Sequence, residues 1–183
     1  MTFFEANDEP QPFIQKHYTN EQIETLLENA IDEKDETTKG KLFEEFFRNV
    51  VERENEFVLV KPHARSDIGE FDFVYKTKCN GHPLWNECQY LFVECKNRKE
   101  VVSSKDMNHF VNMLSKKAVF KNARCGIYIT TKSFSRQANT AAKNGIAEGL
   151  IIFKIAHKDI ATLIEKGFKR FLEEEFDDLL SKI

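Results

Sequence analysis

A change of hydrophobic period at Lys99 limits what this chain can fold into more than any other feature. Before it, three runs follow one another with no helical pattern between them: FVLVK (57–61), EFDFVYK (70–76) and QYLFVECK (89–96). All three are rich in β-branched and aromatic residues, as strands are. After it, Met107, Phe110, Val111, Leu114 and Ala118 recur at helical spacing behind a capping Ser103 or Ser104. A strand GIYIT (126–130), a helix from about Phe134 with Ala138, Ala141 and Ala142 on one side, and a strand LIIFKI (150–155) come next. Successive strands pair antiparallel, whereas strands separated by a helix are joined by right-handed crossovers. The expected class is therefore α/β, a mixed central sheet with helices on both faces.

The flanks are helical. Thr19 and Asn20 can cap a helix whose apolar stripe is Ile23, Leu26, Leu27, Ala30 and Ile31, and DEKDETTKG (32–40) reads as a short linker. A second helix carries Phe43, Phe46, Phe47 and Val50 on one face. Asn80-Gly81 and Pro83 mark a long hairpin connection between the second and third strands. The tail presents Ile160, Leu163, Ile164, Phe168, Phe171, Leu172, Phe176, Leu179 and Leu180, with Gly167 placed to break it in two. The expected division is a helical N-terminal extension (1–39), a core domain (40–156) and a C-terminal helical tail (157–183). The tail's spacing permits dimerisation, but packing back onto its own domain is the favoured expectation.

Composition narrows the setting. A chain of 183 residues, 41% hydrophobic with 17 Phe, can bury a substantial core. No apolar run approaches the roughly 18 residues of a membrane span, and MTFFEANDEPQPF lacks the basic and apolar regions of a signal peptide. A cytoplasmic location without membrane contact is expected. Cys79, Cys88, Cys95 and Cys125 include no CxxC pair and are expected as free thiols. The loop CNGHPLWNEC offers Cys79, His82 and Cys88, but their spacing fits no usual zinc pattern. The net charge of −3 hides a polarity. Residues 1–56 hold 15 acidic and 6 basic side chains, while 96–143 hold 11 basic ones against Glu100 and Asp106. An anionic partner on the middle of the chain is expected, solvated helix faces being the plainer alternative.

The candidate chemistry sits where charge interrupts an apolar strand. In YLFVECKNRK, Tyr90, Phe92, Glu94 and Lys96 share one face, and Leu91, Val93 and Cys95 the other. Glu70, Asp72 and Val74 likewise share a face of the preceding strand, so a carboxylate from each strand can meet at one end of the sheet. On the helix before the sheet, Glu44 borders the buried stripe and Glu45 points to solvent. Clustered carboxylates repel and resist desolvation unless a cation joins them. Hard oxygen ligands suit Mg²⁺ or Mn²⁺, and a lysine beside such an ion can orient a water or neutralise a phosphate oxygen. A Glu-x-Lys triplet alone is commonly a surface ion pair. Glu44, an acid-bearing strand 28 residues later and Glu-x-Lys 22 beyond that form a more specific set.

Taken in order, GKLFEEFF (40–47), GEFDFVY (69–75) and FVECKN (92–97) resemble the PD-(D/E)xK nuclease superfamily, and within it the Mrr-like restriction endonucleases. GIYITTKSFSRQANTAAKNGI (126–146) resembles that group as well, and the likeness spans roughly residues 40–155. The resemblance implies a restriction-endonuclease-like fold and a Mg²⁺-dependent endodeoxyribonuclease, Mn²⁺ being able to substitute. It implies Asp72 and Glu94 as metal ligands with the Cys95 carbonyl as a further one, Lys96 as the residue that positions the attacking water, and Glu44 in support. Cleavage would leave a 5′-phosphate and a 3′-hydroxyl. The group often carries a Gln in the helix after the E-x-K strand; here SSKDMNHFVNM supplies Asp106, Asn108 or His109 instead. DNA would be held through its backbone by the basic stretch 96–143, with Thr130, Thr131, Lys132 and Ser133 as further phosphate contacts. Specificity would then come from a partner subunit, a homodimer mate or a modified substrate, in restriction or phage defence. Two readings compete: a nuclease-fold module that binds DNA or protein without turnover, and an interaction protein built on the terminal helices.

Overall fold

Three antiparallel strands followed by two parallel ones make a five-stranded sheet in the order β1-β2-β3-β4-β5. The computed structural model describes residues 18–66, 69–119 and 123–181. The N-terminal segment MTFFEANDEPQPF and Lys121 lie outside the described residues. The strands are β1 (Phe57–Ser66), β2 (Gly69–Thr77), β3 (Tyr90–Lys96), β4 (Cys125–Thr130) and β5 (Ile151–Ile155). The helices are α1 (Asn20–Asp32), α2 (Glu36–Glu52), α3 (Pro83–Glu87), α4 (Ser104–Lys117), α5 (Arg136–Ala147), α6 (His157–Lys166) and α7 (Phe168–Leu180). Sequence periodicity anticipates this order except for α3, a short helix inside the long connection, capped by His82 with Pro83 in its first turn.

The caps follow local chemistry. Thr19 accepts from the Gln22 N–H while Gln22 reaches back to Thr19, a capping box that fixes the start of α1. Ser103 and Asp106 do the same for α4. Asp35 caps α2, so the helix begins at Glu36 and the expected linker 32–40 shrinks to the turn between α1 and α2. An aspartate whose oxygen reaches the Thr38 N–H starts a helix as readily as a break would have ended one. Gly167, at φ +84, separates α6 from α7 as expected.

Helices cover both faces. One layer joins Phe43, Phe46, Phe47 and Val50 of α2 to Val93 and Cys95 of β3 and to Phe168, Phe171 and Phe176 of α7. Ile23 and Ala30 of α1 belong to the same cluster, so the tail does pack back onto the sheet. The other layer joins Phe110 and Leu114 of α4 and Ala138 and Ala142 of α5 to Phe92 and Tyr128. The alanines let α5 lie close, and Gly126 does the same for α4. A methyl built on Gly126 would stand 2.6 Å from Leu114 and 2.7 Å from Phe110, both fully buried. Gly126→Ala should therefore lower unfolding free energy by about 1–3 kcal/mol, read as a fall in urea midpoint at constant slope.

One cysteine expectation is overturned. Cys88 and Cys125 are joined as a disulfide with Cα atoms 5.5 Å apart, leaving Cys79 and Cys95 as thiols. Cys88 lies just before β3, and its isolated bridge to Ala123 brings it beside the start of β4. Sequence spacing could not register that proximity, because parallel pairing creates it. No helix among the described residues is long and apolar enough to cross a membrane.

Candidate active site

Strands β2 and β3 pair from Lys76↔Tyr90 to Phe73↔Val93 and then part. One step further the register would place Asp72 opposite Glu94. The carboxylate of Asp72 turns into the opening instead, where its Oδ2 accepts the Cys95 N–H at 2.7 Å. On β3 the period of two does what the sequence implied. Tyr90 and Phe92 pack on the α4 side and Leu91, Val93 and Cys95 on the α2 side. Glu94 and Lys96 project together, with Lys96 Nζ 2.5 Å from Glu94 Oε1. Glu94 Oε2 is buried and has no hydrogen-bond partner among the described residues. From α2, Glu44 is half-buried and Glu45 exposed, as the helical wheel requires.

Glu44 and Asp72 meet a residue that sequence reasoning missed. One ligand atom each from Glu44, His63 and Asp72 lie within 4.8 Å of one another. Glu44 and His63 thus join Asp72 in a group that could hold an ion, alongside the Glu94 that the sequence paired with it. His63 sits on β1 between Pro62, opposite Phe73, and Ala64, opposite Phe71, and so faces Asp72. The run FVLVK hides this, since the strand continues through Pro62, which an edge strand tolerates. A histidine soon after a strand proline was the available signal. His63 Nε2 is 3.9 Å from Glu44 Oε2, and Nδ1 is 3.4 Å from Glu70 Oε1.

The electrostatics of the cleft are unfavourable to bare carboxylates. Burial, then the charge of Asp72, push the Glu94 carboxyl up to about 7 despite Lys96. Burial also raises Asp72, against the opposing pull of the Cys95 N–H and Lys96. Glu44 is raised by burial and by Asp72. Burial draws Lys96 down, but the charge and hydrogen bond of Glu94 outweigh it and hold the ammonium above its ordinary range. Three carboxyls raised together, with a buried oxygen lacking a partner, fit a divalent cation that would relieve the repulsion and fill the open ligand position.

The cleft continues over α4, a space of about 780 Å³ lined by Glu94, Lys96, Arg98, Lys105, Asn108 and His109 among others. Asp106 is engaged by Ser103 and by Arg98 Nη2 at 3.1 Å, so Asn108 and His109 are the freer of the three side chains in place of the absent Gln. The Cys95 thiol is buried in the α2-side core, which leaves only the main chain of this residue to the centre. Tyr128, in register with Glu94 on β4, forms part of the wall and was not singled out from sequence.

Other expectations need correction. Thr130 is fully buried and its Oγ1 accepts the Lys132 N–H, while Thr131 Oγ1 donates to Asn97 Oδ1 at 2.8 Å. These hydroxyls close the turn after β4, so of that segment only Lys132 and Ser133 offer side chains to a phosphate. The basic stretch is partly spent within the fold: Lys99 meets Glu36, Arg98 meets Asp106, and Arg124 meets Glu87. His82 is structural, its Nδ1 accepting the Leu84 N–H and its Nε2 lying 3.3 Å from Asp177.

No curated protein sequence is matched. Two solved structures are similar. The "Structure of EndoMS-dsDNA2 complex" is 15% identical, with 66% of this chain and 43% of that chain covered at a TM-score of 0.43. The "crystal structure of a repair endonuclease from Pyrococcus abyssi" is 18% identical, with 68% and 48% covered at a TM-score of 0.43. The chain spans less than half the length of either. A family model, Mrr_cat, described as restriction endonuclease, matches residues 36–164, from the start of α2 through most of α6. With the greater part of its length under that match, the chain belongs to the Mrr-type restriction endonuclease family.

Proposed function

We propose that this protein is a divalent-cation-dependent endonuclease that hydrolyses DNA phosphodiester bonds, with Mg²⁺ or Mn²⁺ as the cation. The observation that carries the reading is the buried Glu94 Oε2, without a partner among the described residues, beside Asp72 and Lys96 in a chain of the restriction endonuclease family. Asp72, Glu94 and Glu44 would hold the cation, with the Cys95 main chain at its margin. When bound, the ion supplies positive charge at the scissile phosphate and a more acidic water. Lys96 stays protonated, so its ammonium acts as a donor that orients the attacking water and a phosphate oxygen rather than as the base. Lys105 on the cleft wall and Lys132 beyond it would track the DNA backbone, giving salt-sensitive binding with little base readout. Sequence choice would come from a dimer mate or partner subunit, and restriction or phage defence is the setting that suits such an enzyme.

The test is a comparison of supercoiled plasmid, linear duplex and single-stranded RNA, each incubated with Mg²⁺, Mn²⁺ or EDTA. Cleavage of both DNAs with 5′-phosphate ends, lost in EDTA and absent on RNA, is the expected result. DNA that stays intact with both ions, or cleavage that survives EDTA, would overturn the proposal.

A further inference from the structure

The corner formed by Glu44, His63 and Asp72 differs from an all-oxygen centre, because one of its three ligand atoms is an imidazole nitrogen. The three residues come from α2, β1 and β2, so the fold rather than local sequence assembles them. His63 also stands in an unusual backbone state, at φ +48, the one non-glycine residue with positive φ among the described residues. Its Nε2 lies 3.9 Å from Glu44 Oε2 and its Nδ1 3.4 Å from Glu70 Oε1. A carboxylate behind an imidazole helps to orient the ring at metal centres. Beside them Glu94 holds a buried oxygen with no partner among the described residues, and its carboxyl senses the charge of Asp72.

We propose that Glu44, His63 and Asp72 form a mixed nitrogen–oxygen cation site that binds Mn²⁺ in preference to Mg²⁺. The inference rests on the nuclease reading above and specifies which ion that centre selects. Mg²⁺ demands near-ideal octahedral oxygen coordination and gives up its water reluctantly. Mn²⁺, larger and less tightly hydrated, accepts imidazole beside carboxylate more readily than Mg²⁺ does. Glu70 is a positioning residue here, since it acts on the cation only through His63.

His63→Gly is the variant of choice, because glycine adopts positive φ without strain and the exposed imidazole contributes little packing. Calorimetric titration of the whole protein with Mn²⁺ and Mg²⁺ reads affinity without reference to turnover. Pulsed electron paramagnetic resonance of the Mn²⁺-loaded protein reads directly bound nitrogen. Wild type should bind Mn²⁺ more tightly than Mg²⁺ and show ¹⁴N coupling. His63→Gly should lose the coupling and weaken Mn²⁺ on the order of 10-fold or more, while changing Mg²⁺ by less than about 3-fold. Tight Mn²⁺ binding that is unchanged in the variant, or that shows no ¹⁴N coupling in wild type, overturns this inference and leaves the nuclease reading standing. Failure of wild type to bind either ion overturns both.

Discussion

Replacing Lys96 with alanine should reduce single-turnover DNA cleavage by about 10³-fold while divalent cations and duplex DNA still bind. The ammonium lies 2.5 Å from Glu94 and remains protonated, so its loss removes a fixed donor from the reacting phosphate without removing a cation ligand. The substitution also strips Glu94 of its counter-ion. A buried carboxylate left alone is costly, and the group answers by taking up a proton. Lys96→Ala should accordingly keep a native circular-dichroism spectrum at pH 6 and melt at a lower temperature than wild type at pH 8. Added Mn²⁺ should narrow that gap, because the ion takes over the neutralising role. A variant that cleaves at the wild-type rate under these conditions would show that the pair is only structural.

The second large effect runs the other way for stability. Glu94→Gln should abolish cleavage and make the cation-free protein more stable above neutral pH. The Glu94 carboxyl is raised from its ordinary 4.5 to about 7, so the folded state holds this proton more tightly than the unfolded chain. Stability therefore falls as pH rises through the window from 4.5 to 7, the reverse of a salt-bridged acid. Full ionisation costs the folded state on the order of 3 kcal/mol, most of which the neutral amide avoids. Urea unfolding at pH 5 and pH 8 in EDTA checks this. Wild type should be markedly weaker at pH 8, and the variant should lose distinctly less, Asp72 and Glu44 still contributing to the fall. A wild-type protein whose stability climbs from pH 5 to pH 8 would show that the carboxyl is not desolvated as described. Such a trade of stability for function is ordinary where a site gathers like charges for a ligand.

How much of this was legible in the sequence depends on which residues are considered. The faces of β3 and the border position of Glu44 follow from periods of 2 and 3.6, and both hold in the structure. The break at Gly167 and the caps of α1 and α4 are local chemistry and were equally readable. Long-range contacts created by strand register were not. The opening beyond Phe73↔Val93, in which Asp72 accepts the Cys95 N–H, leaves no trace in either strand's pattern. His63 stayed hidden for the same reason, since it meets Asp72 only across β1 and β2. The pairing of Cys88 with Cys125 depends on the parallel crossover that sets β4 beside β3. Thr130 and Thr131 look like free hydroxyls in a TTKS string, until the turn they close shows where their hydrogen bonds go.

The central claim is that charges at the parted ends of β2 and β3 form one cation-dependent hydrolytic centre. The most direct measurement is the nicking rate of supercoiled plasmid against Mn²⁺ concentration, for wild type and Lys96→Ala side by side at pH 7. A rate that saturates with cation in wild type, vanishes in EDTA and is lost in the variant is the predicted result. Equal rates in the two proteins, or nicking that ignores the cation, would contradict it.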